Sequence, residues 1–236
     1  AGTGKTIVAL HRAVRAVRED AQARVLLTSF SRPLANALKA KLTILLADDP
    51  GRLSRVSIAS FEDAAAELFQ LTTGRRATLA SHDIQQAALK HAMADRGYAD
   101  LPLRFVFAEW RHIVDAWNLP DLASYANVPR IGRRNRLGAR QREGLWPVFE
   151  GARAILAARG LLTASQLLAA VEKAFQATSK PFTHVIVDEA QDLGVSELRM
   201  MSAIASGTNA LFFAGDLGQR IFQLPFSWLA LGVDVR

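Results

Sequence analysis

The sequence predicts an α/β fold, a parallel sheet interrupted by a helical insertion. Three observations predict it. Four short apolar runs, Arg24–Thr28, Arg55–Ala59, Thr183–Val187 and Ala210–Ala214, have the length of strands. Helical patterns lie between or beside them, over Thr6–Arg18, Leu34–Leu46 and Ser196–Ala205. A long middle stretch, 65–160, is rich in Ala, Leu, Arg and Gln and has no strand pattern.

Each element has its reason. The four runs are continuously apolar rather than alternating, which suits strands covered on both faces, the habit of parallel sheets. Helix and strand alternating along the chain give the βαβ rhythm of a doubly wound fold. Pro120, Pro129 and Gly132 punctuate the middle stretch and keep it from reading as one long helix. The expected division is therefore residues 1–64 as the first part of the sheet domain, 65–160 as the insertion and 161–236 as the second part.

With 236 residues and 50% hydrophobic content, the chain is large enough to bury a true core. No cysteine is present, so disulfides, thiolate metal sites and thiol nucleophiles are excluded. No apolar run reaches membrane-spanning length, and the N-terminus does not read as a secretory signal, so the expected compartment is cytoplasmic. The net charge of +7 favours a polyanionic partner. Six arginines fall between Arg130 and Arg142 (130, 133, 134, 136, 140, 142), with no acid before Glu143. That stretch suits phosphate contacts or a solvated helix equally well. The five histidines (11, 82, 91, 112, 184) lack metal-ligand spacing and are expected to be structural or at the surface.

Three segments carry chemistry. Ala1-Gly-Thr-Gly-Lys-Thr6 matches the end of the phosphate-binding pattern Gly-x-x-x-x-Gly-Lys-Ser/Thr at Gly4, Lys5 and Thr6. Glycines at such a place let backbone N–H groups approach phosphates at a helix N-terminus. Lys5 is then suited to the β- and γ-phosphates and Thr6 to Mg²⁺. Val185-Ile-Val-Asp-Glu-Ala-Gln-Asp192 runs from an apolar strand into two adjacent carboxylates. Asp188 is a candidate Mg²⁺ ligand and Glu189 a candidate general base. Ala214-Gly-Asp-Leu-Gly-Gln219 again leaves a strand for polar residues, with Gly215 and Gly218 allowing a tight turn and Gln219 a candidate γ-phosphate sensor.

In this order, these segments resemble the superfamily 1 DNA helicases of the UvrD/Rep type. Gly2-Thr-Gly-Lys-Thr6 resembles motif I, Asp188-Glu-Ala-Gln-Asp192 motif II and Gly215-Asp-Leu-Gly-Gln219 motif III. Thr28-Ser-Phe-Ser31 with Leu34-Ala35 is similar to motif Ia, and Ser60-Phe61 to motif Ib. The resemblance implies a RecA-like P-loop NTPase sheet, with 65–160 as subdomain 1B, and ATP and Mg²⁺ as cofactors. It implies that Gly2, Thr3, Gly4, Lys5, Thr6 and Gln219 bind nucleotide, that Thr6 and Asp188 hold the metal, and that Glu189, Lys5 and Gln219 act in catalysis. It also implies single-stranded or partly duplex DNA as partner, moved over in the 3′ to 5′ direction. Phe30, Ser31, Ser60 and Phe61 would lie on the DNA track, with Arg133, Arg134 and Trp228 as further contacts.

Base stacking on Phe30 would contribute roughly 1–3 kcal/mol. Phe30 and Phe61 suit core packing as well, and Phe222 and Trp228 suit it better. The sequence departs from close relatives at Ile7, where they often carry arginine, and at Glu62, where they often carry histidine. The second motor domain of the family is expected outside this chain, which alone is expected to hydrolyse ATP poorly and not to unwind DNA. The alternative is a nucleic-acid-binding or protein-remodelling module of the same superfamily that does not unwind.

Overall fold

A computed structural model of the chain describes residues 4–128, 137–206 and 209–216. Its centre is a four-stranded sheet of β1 (Val25–Ser29), β2 (Val56–Ser60), β3 (His184–Asp188) and β4 (Leu211–Ala214), in the order β2-β1-β3-β4. All three pairings are parallel, with Leu27 opposite Ile58 and Ile186, and Val187 opposite Phe213. Each strand begins one residue later than its apolar run. Ser29, Ser60 and Asp188 close their strands and are buried there. Polar residues just past the apolar runs are thus held by the ladder at the carboxyl edge, where open α/β sheets bind ligands.

Alternation along the strands divides the core in two. Val25, Leu27 and Ile186 face α1 (Lys5–Glu19) and α2 (Arg32–Leu45), packing with Ala9, Ala13, Leu38 and Leu42. Leu26, Val185 and Val187 face α4 (Phe61–Thr73), α9 (Ala164–Gln176) and α10 (Val195–Ile204). A short α3 (Pro50–Leu53), capped by the Asp49 side chain on Arg52 N–H, returns the chain into β2. The all-parallel sheet with helices on both faces is consistent with a RecA-like domain.

Thr28 sits on the second face, wholly buried, and its hydroxyl has no hydrogen-bond partner among the described residues. A buried polar group left unpaired is destabilising, so the isosteric Thr28→Val change is expected to stabilise the fold by about 1 kcal/mol. Urea unfolding of both proteins checks this, and a lower midpoint for the variant would count against it.

Between β2 and β3 the chain is helical. α5 (His82–Asp95), α6 (Leu103–Glu109), a π-helical segment at Trp110–Asp115, α7 (Leu122–Asn127) and α8 (Ala139–Ala158) enclose a core of their own. Trp110, Tyr125 and Phe149 are its large buried rings. Trp110 donates to Gln85 Oε1 at 3.0 Å and Tyr125 donates to Glu109 Oε1 at 3.0 Å, so both polar ends are satisfied. The Arg153 guanidinium lies 5.7 Å from the Trp110 ring and 5.5 Å from the Trp146 ring.

This core starts at Ala80 and runs to Leu156, whereas Ala65 and Leu68 of α4 belong to the sheet core. The sequence division at residue 65 therefore falls inside a helix that packs on the sheet. Both ends of the insertion meet at one place: Ala80 N–H donates to Leu162 O at 2.8 Å and Leu162 N–H to Thr78 O at 2.9 Å. Beside that joint, Thr163 donates its hydroxyl to the buried Asp115 carboxylate at 2.5 Å, and Ser196 of α10 donates to Ala116 O at 2.9 Å. Burial pushes the Asp115 carboxyl above the usual aspartate range, and the Thr163 hydrogen bond works against that.

Candidate functional site

The carboxyl edge of β3 and the start of α1 form one constellation. Gly4 caps α1 with φ of 71°, a left-handed conformation that glycine adopts without a Cβ penalty. Among the described residues no side chain caps this helix start, which leaves its first N–H groups and the positive end of its dipole available to an anion. Thr6, in the first turn, donates its hydroxyl to Asp188 Oδ2 at 2.9 Å, across 182 positions of sequence. Lys5 Nζ stands 3.7 Å from Asp216 Oδ2, just beyond β4.

Glu189 follows β3 with φ of 57° and ψ of 45°, a left-handed conformation that costs a non-glycine residue energy. A 3-10 turn at Ala190–Asp192 then leads to α10. Gln191 ties the turn to its surroundings from both ends of its amide: Nε2 donates to Glu189 Oε2, and Oε1 accepts the Asp216 N–H at 3.0 Å. Gly215 makes this possible by its lack of a side chain. A Cβ there would lie 2.8 Å from Ala190 N and 2.9 Å from Gln191 N. Gly215 is needed for close backbone approach, where the sequence suggested a tight turn.

Asp188 is 3% exposed. Burial pushes its carboxyl above the usual aspartate range; the Thr6 hydrogen bond opposes this and the neighbouring Glu189 charge adds to it. Its Oδ1 is buried and without a hydrogen-bond partner among the described residues. Thr6 Oγ1 and Asp188 thus present hard oxygen ligands beside a free helix N-terminus, and one carboxylate oxygen has no other occupation. That fits Mg²⁺, which is commonly bound by one or two protein oxygens plus phosphates and water. Among the described residues no group of three or more His, Asp or Glu side chains forms a protein-only metal cage.

The expected DNA track divides. Phe30 is 57% exposed and Leu34, one helical turn away, is 43% exposed. Ser31 caps α2 by accepting the Leu34 N–H at 3.5 Å. Ser60 caps α4, accepting the Asp63 N–H at 3.2 Å and donating to Asp63 Oδ2 at 2.7 Å. Phe61, by contrast, is 4% exposed and packs in the sheet core with Leu26 and Leu168. A cleft of about 400 Å³ opens nearby between α2, β2 and α4, with Asn36, Glu67 and Arg76 on its walls. At its rim Arg32 makes a two-pronged ion pair with Asp63, 2.7 Å at the closest. The hydrogen bond from Arg32 is the main reason the Asp63 carboxyl lies below the usual range.

Gly2, Thr3, Gln219, Phe222 and Trp228, with Arg133 and Arg134, lie outside the described residues. The sequence did not single out Gln191 or the Arg32–Asp63 pair. Gln191 had one signal, its place two residues after a carboxylate in a turn. Arg32 and Asp63 are 31 positions apart, and no spacing rule connects them.

Residues 149–226 match the family model described as the UvrD/REP helicase N-terminal domain. That stretch is similar to the UvrD/Rep-type helicase domain. It contains Asp188, Glu189, Gln191 and Asp216, while Lys5 and Thr6 are joined to it by the contacts above. No curated protein matches the sequence. The family implies helicase-type function, ATP use with a metal, and DNA binding. Among the described residues no helix is long and apolar enough to cross a membrane.

Proposed function

We propose that this chain is the ATP-hydrolysing part of a DNA motor that moves 3′ to 5′ along single-stranded DNA. The observation that carries the reading is the Thr6–Asp188 hydrogen bond, which unites the phosphate-binding segment with the acidic strand end. In this reading the sheet and the helices packed on it, α4 included, form motor subdomain 1A, and the helical body from Ala80 to Leu156 forms subdomain 1B.

The backbone N–H groups of Gly2, Thr3 and Gly4 cradle the phosphates, and Lys5 offsets charge on the β- and γ-phosphates. Thr6 and Asp188 hold Mg²⁺, which supplies Lewis-acid stabilisation of the developing phosphate charge when bound. Glu189 takes the proton of the attacking water, and Gln191 fixes its carboxylate through the Nε2 hydrogen bond. Gln219 senses the γ-phosphate. Phe30 offers a stacking surface to a DNA base, Ser31 and Ser60 border the same track, and Arg133 and Arg134 meet backbone phosphates.

The test is ATPase activity of the full-length protein with and without single-stranded DNA, beside Glu189→Gln. Strong DNA stimulation is expected in the parent, and turnover about 100-fold lower or less in the variant, the usual worth of a general base. Hydrolysis indifferent to DNA would favour a remodeller of protein partners. Hydrolysis unaffected by the substitution would remove Glu189 from its role.

A further inference from the structure

At the carboxyl edge, Ser29 of β1 pairs with Ser60 of β2, and Asp188 of β3 pairs with Ala214 of β4. The last β1–β3 pair is Thr28 with Val187, so Ser29 and Asp188 are the next positions on adjoining strands. Alternation sends both side chains to the face of Leu27 and Ile186, the face covered by α1 and α2.

Ser60, in the same row, is fully engaged with Asp63. Ser29 is not. It is 0% exposed, and its Oγ has no hydrogen-bond partner among the described residues; the same holds of Asp188 Oδ1 beside it. A buried hydroxyl that bonds to nothing lowers stability. Here a donor and a carboxylate oxygen, both without partners, lie side by side on strands about 4.8 Å apart. Thr6 already occupies the other oxygen of the same carboxylate.

We propose that Ser29 is a positioning residue of the cation site, its hydroxyl hydrogen-bonding a water of the divalent cation's shell and thereby orienting Asp188 Oδ1. The inference rests on the nucleotide-site reading above. Groups that orient a metal ligand or a metal-bound water typically govern affinity by 10–100-fold without touching the ion. Ser29 sits on β1 between Asp188 and Ser60, so it also adjoins the edge of the sheet from which Phe30 leaves for the surface.

The experiment measures Mn²⁺ affinity by electron paramagnetic resonance in the full-length protein with a non-hydrolysable ATP analogue. Ser29→Ala, Ser29→Cys and Ser29→Thr are compared, with Thr6→Ala as control. Ser29→Ala is expected to weaken Mn²⁺ binding about 10-fold or more and to leave analogue binding in EDTA unchanged. Its thermal midpoint in EDTA is expected to equal or exceed that of the parent, because the deleted hydroxyl has no hydrogen-bond partner among the described residues. Ser29→Thr restores Mn²⁺ affinity, and Ser29→Cys, which keeps the size and weakens the hydrogen bond, reads the same loss should the alanine variant fold poorly. Unchanged Mn²⁺ affinity in the alanine and cysteine variants, or a midpoint that falls together with affinity, overturns the proposal. If the parent binds no Mn²⁺ with the analogue, or Thr6→Ala leaves binding intact, the nucleotide-site reading itself fails, and the control identifies that case.

Discussion

Replacing Asp188 by asparagine is expected to lower metal-dependent ATP hydrolysis about a thousandfold while making the metal-free protein more stable. The two effects have one cause. Asp188 is 3% exposed at the end of β3, one oxygen taken by Thr6 and the other without a partner among the described residues. A buried carboxylate in this state favours its neutral form, the direction in which burial moves it. Asparagine keeps the size and an acceptor for the Thr6 hydroxyl, and it removes the charge that a hard cation requires.

The pH dependence follows in sign. The folded carboxyl lies above its unfolded value of 3.8, so its stabilising contribution is fully present below that value. It is lost as pH rises through the folded value. Parent and variant should therefore match in acid, and the variant should gain as pH rises towards neutrality, by on the order of 1–3 kcal/mol in EDTA. Denaturant midpoints in EDTA between pH 4 and pH 8 measure this. A variant less stable than the parent at pH 7 would show that the carboxylate is satisfied in a way the structure does not contain. Proton competition also predicts that cation affinity begins to fall, on acidification, above the ordinary aspartate range.

The second large effect is expected from Gly215→Ala. The new methyl would stand 2.8 Å from Ala190 N and from Gln191 Oε1, and two of its three nearest atoms are backbone nitrogens that cannot swing aside. The turn that carries Glu189 and Gln191 must shift. Overpacking of this kind costs about 1–3 kcal/mol of stability. Displacement of a general base by even an ångström costs about 100-fold in turnover. Lys5 and Thr6 stand on α1, so KM for ATP should change far less than kcat. Steady-state kinetics of the full-length variant check the split, and a kcat within twofold of the parent would mean that the turn accommodates the methyl.

Much of the site was legible because its chemistry coincides with breaks in pattern. The apolar run Thr183–Val187 ends in Asp188 and Glu189, and Gly4-Lys5-Thr6 opens a helix, so segments far apart in sequence could be paired by role. The four strands were legible for the same reason, each being a short, mostly apolar run between helical patterns, although Ser57 interrupts the second. Buried polar residues at strand ends were harder to see. Ser29 and Ser60 fall just past the apolar runs Arg24–Thr28 and Arg55–Ala59, because hydropathy carries no information about the carboxyl edge of a parallel sheet.

Phe30 and Phe61 show the same limit from another side. Both follow a serine at a strand end, yet one is 57% exposed and the other 4% exposed. The difference lies in helix phase. Phe61 is the first residue of α4 and turns inward over Leu26, whereas Phe30 precedes the Ser31 cap of α2 and stays outside. Neither Gln191, whose two-ended bonding depends on a turn, nor the Arg32–Asp63 pair had a spacing that announced it.

The closed neck of the insertion has an evolutionary consequence. Thr78 and Ala80 meet Leu162 through backbone hydrogen bonds, so everything between them leaves and re-enters the sheet domain at one point. The host fold therefore needs only a short connection there, and the entropy of closing it grows slowly with the length of what is inserted. Such an appendage can be lengthened, exchanged for another or grafted onto a related scaffold as a single cassette, with the parallel sheet left to fold as before. The price is paid at the seam, where Thr163 and Ser196 would lose Asp115 and Ala116 and would need new partners in any replacement.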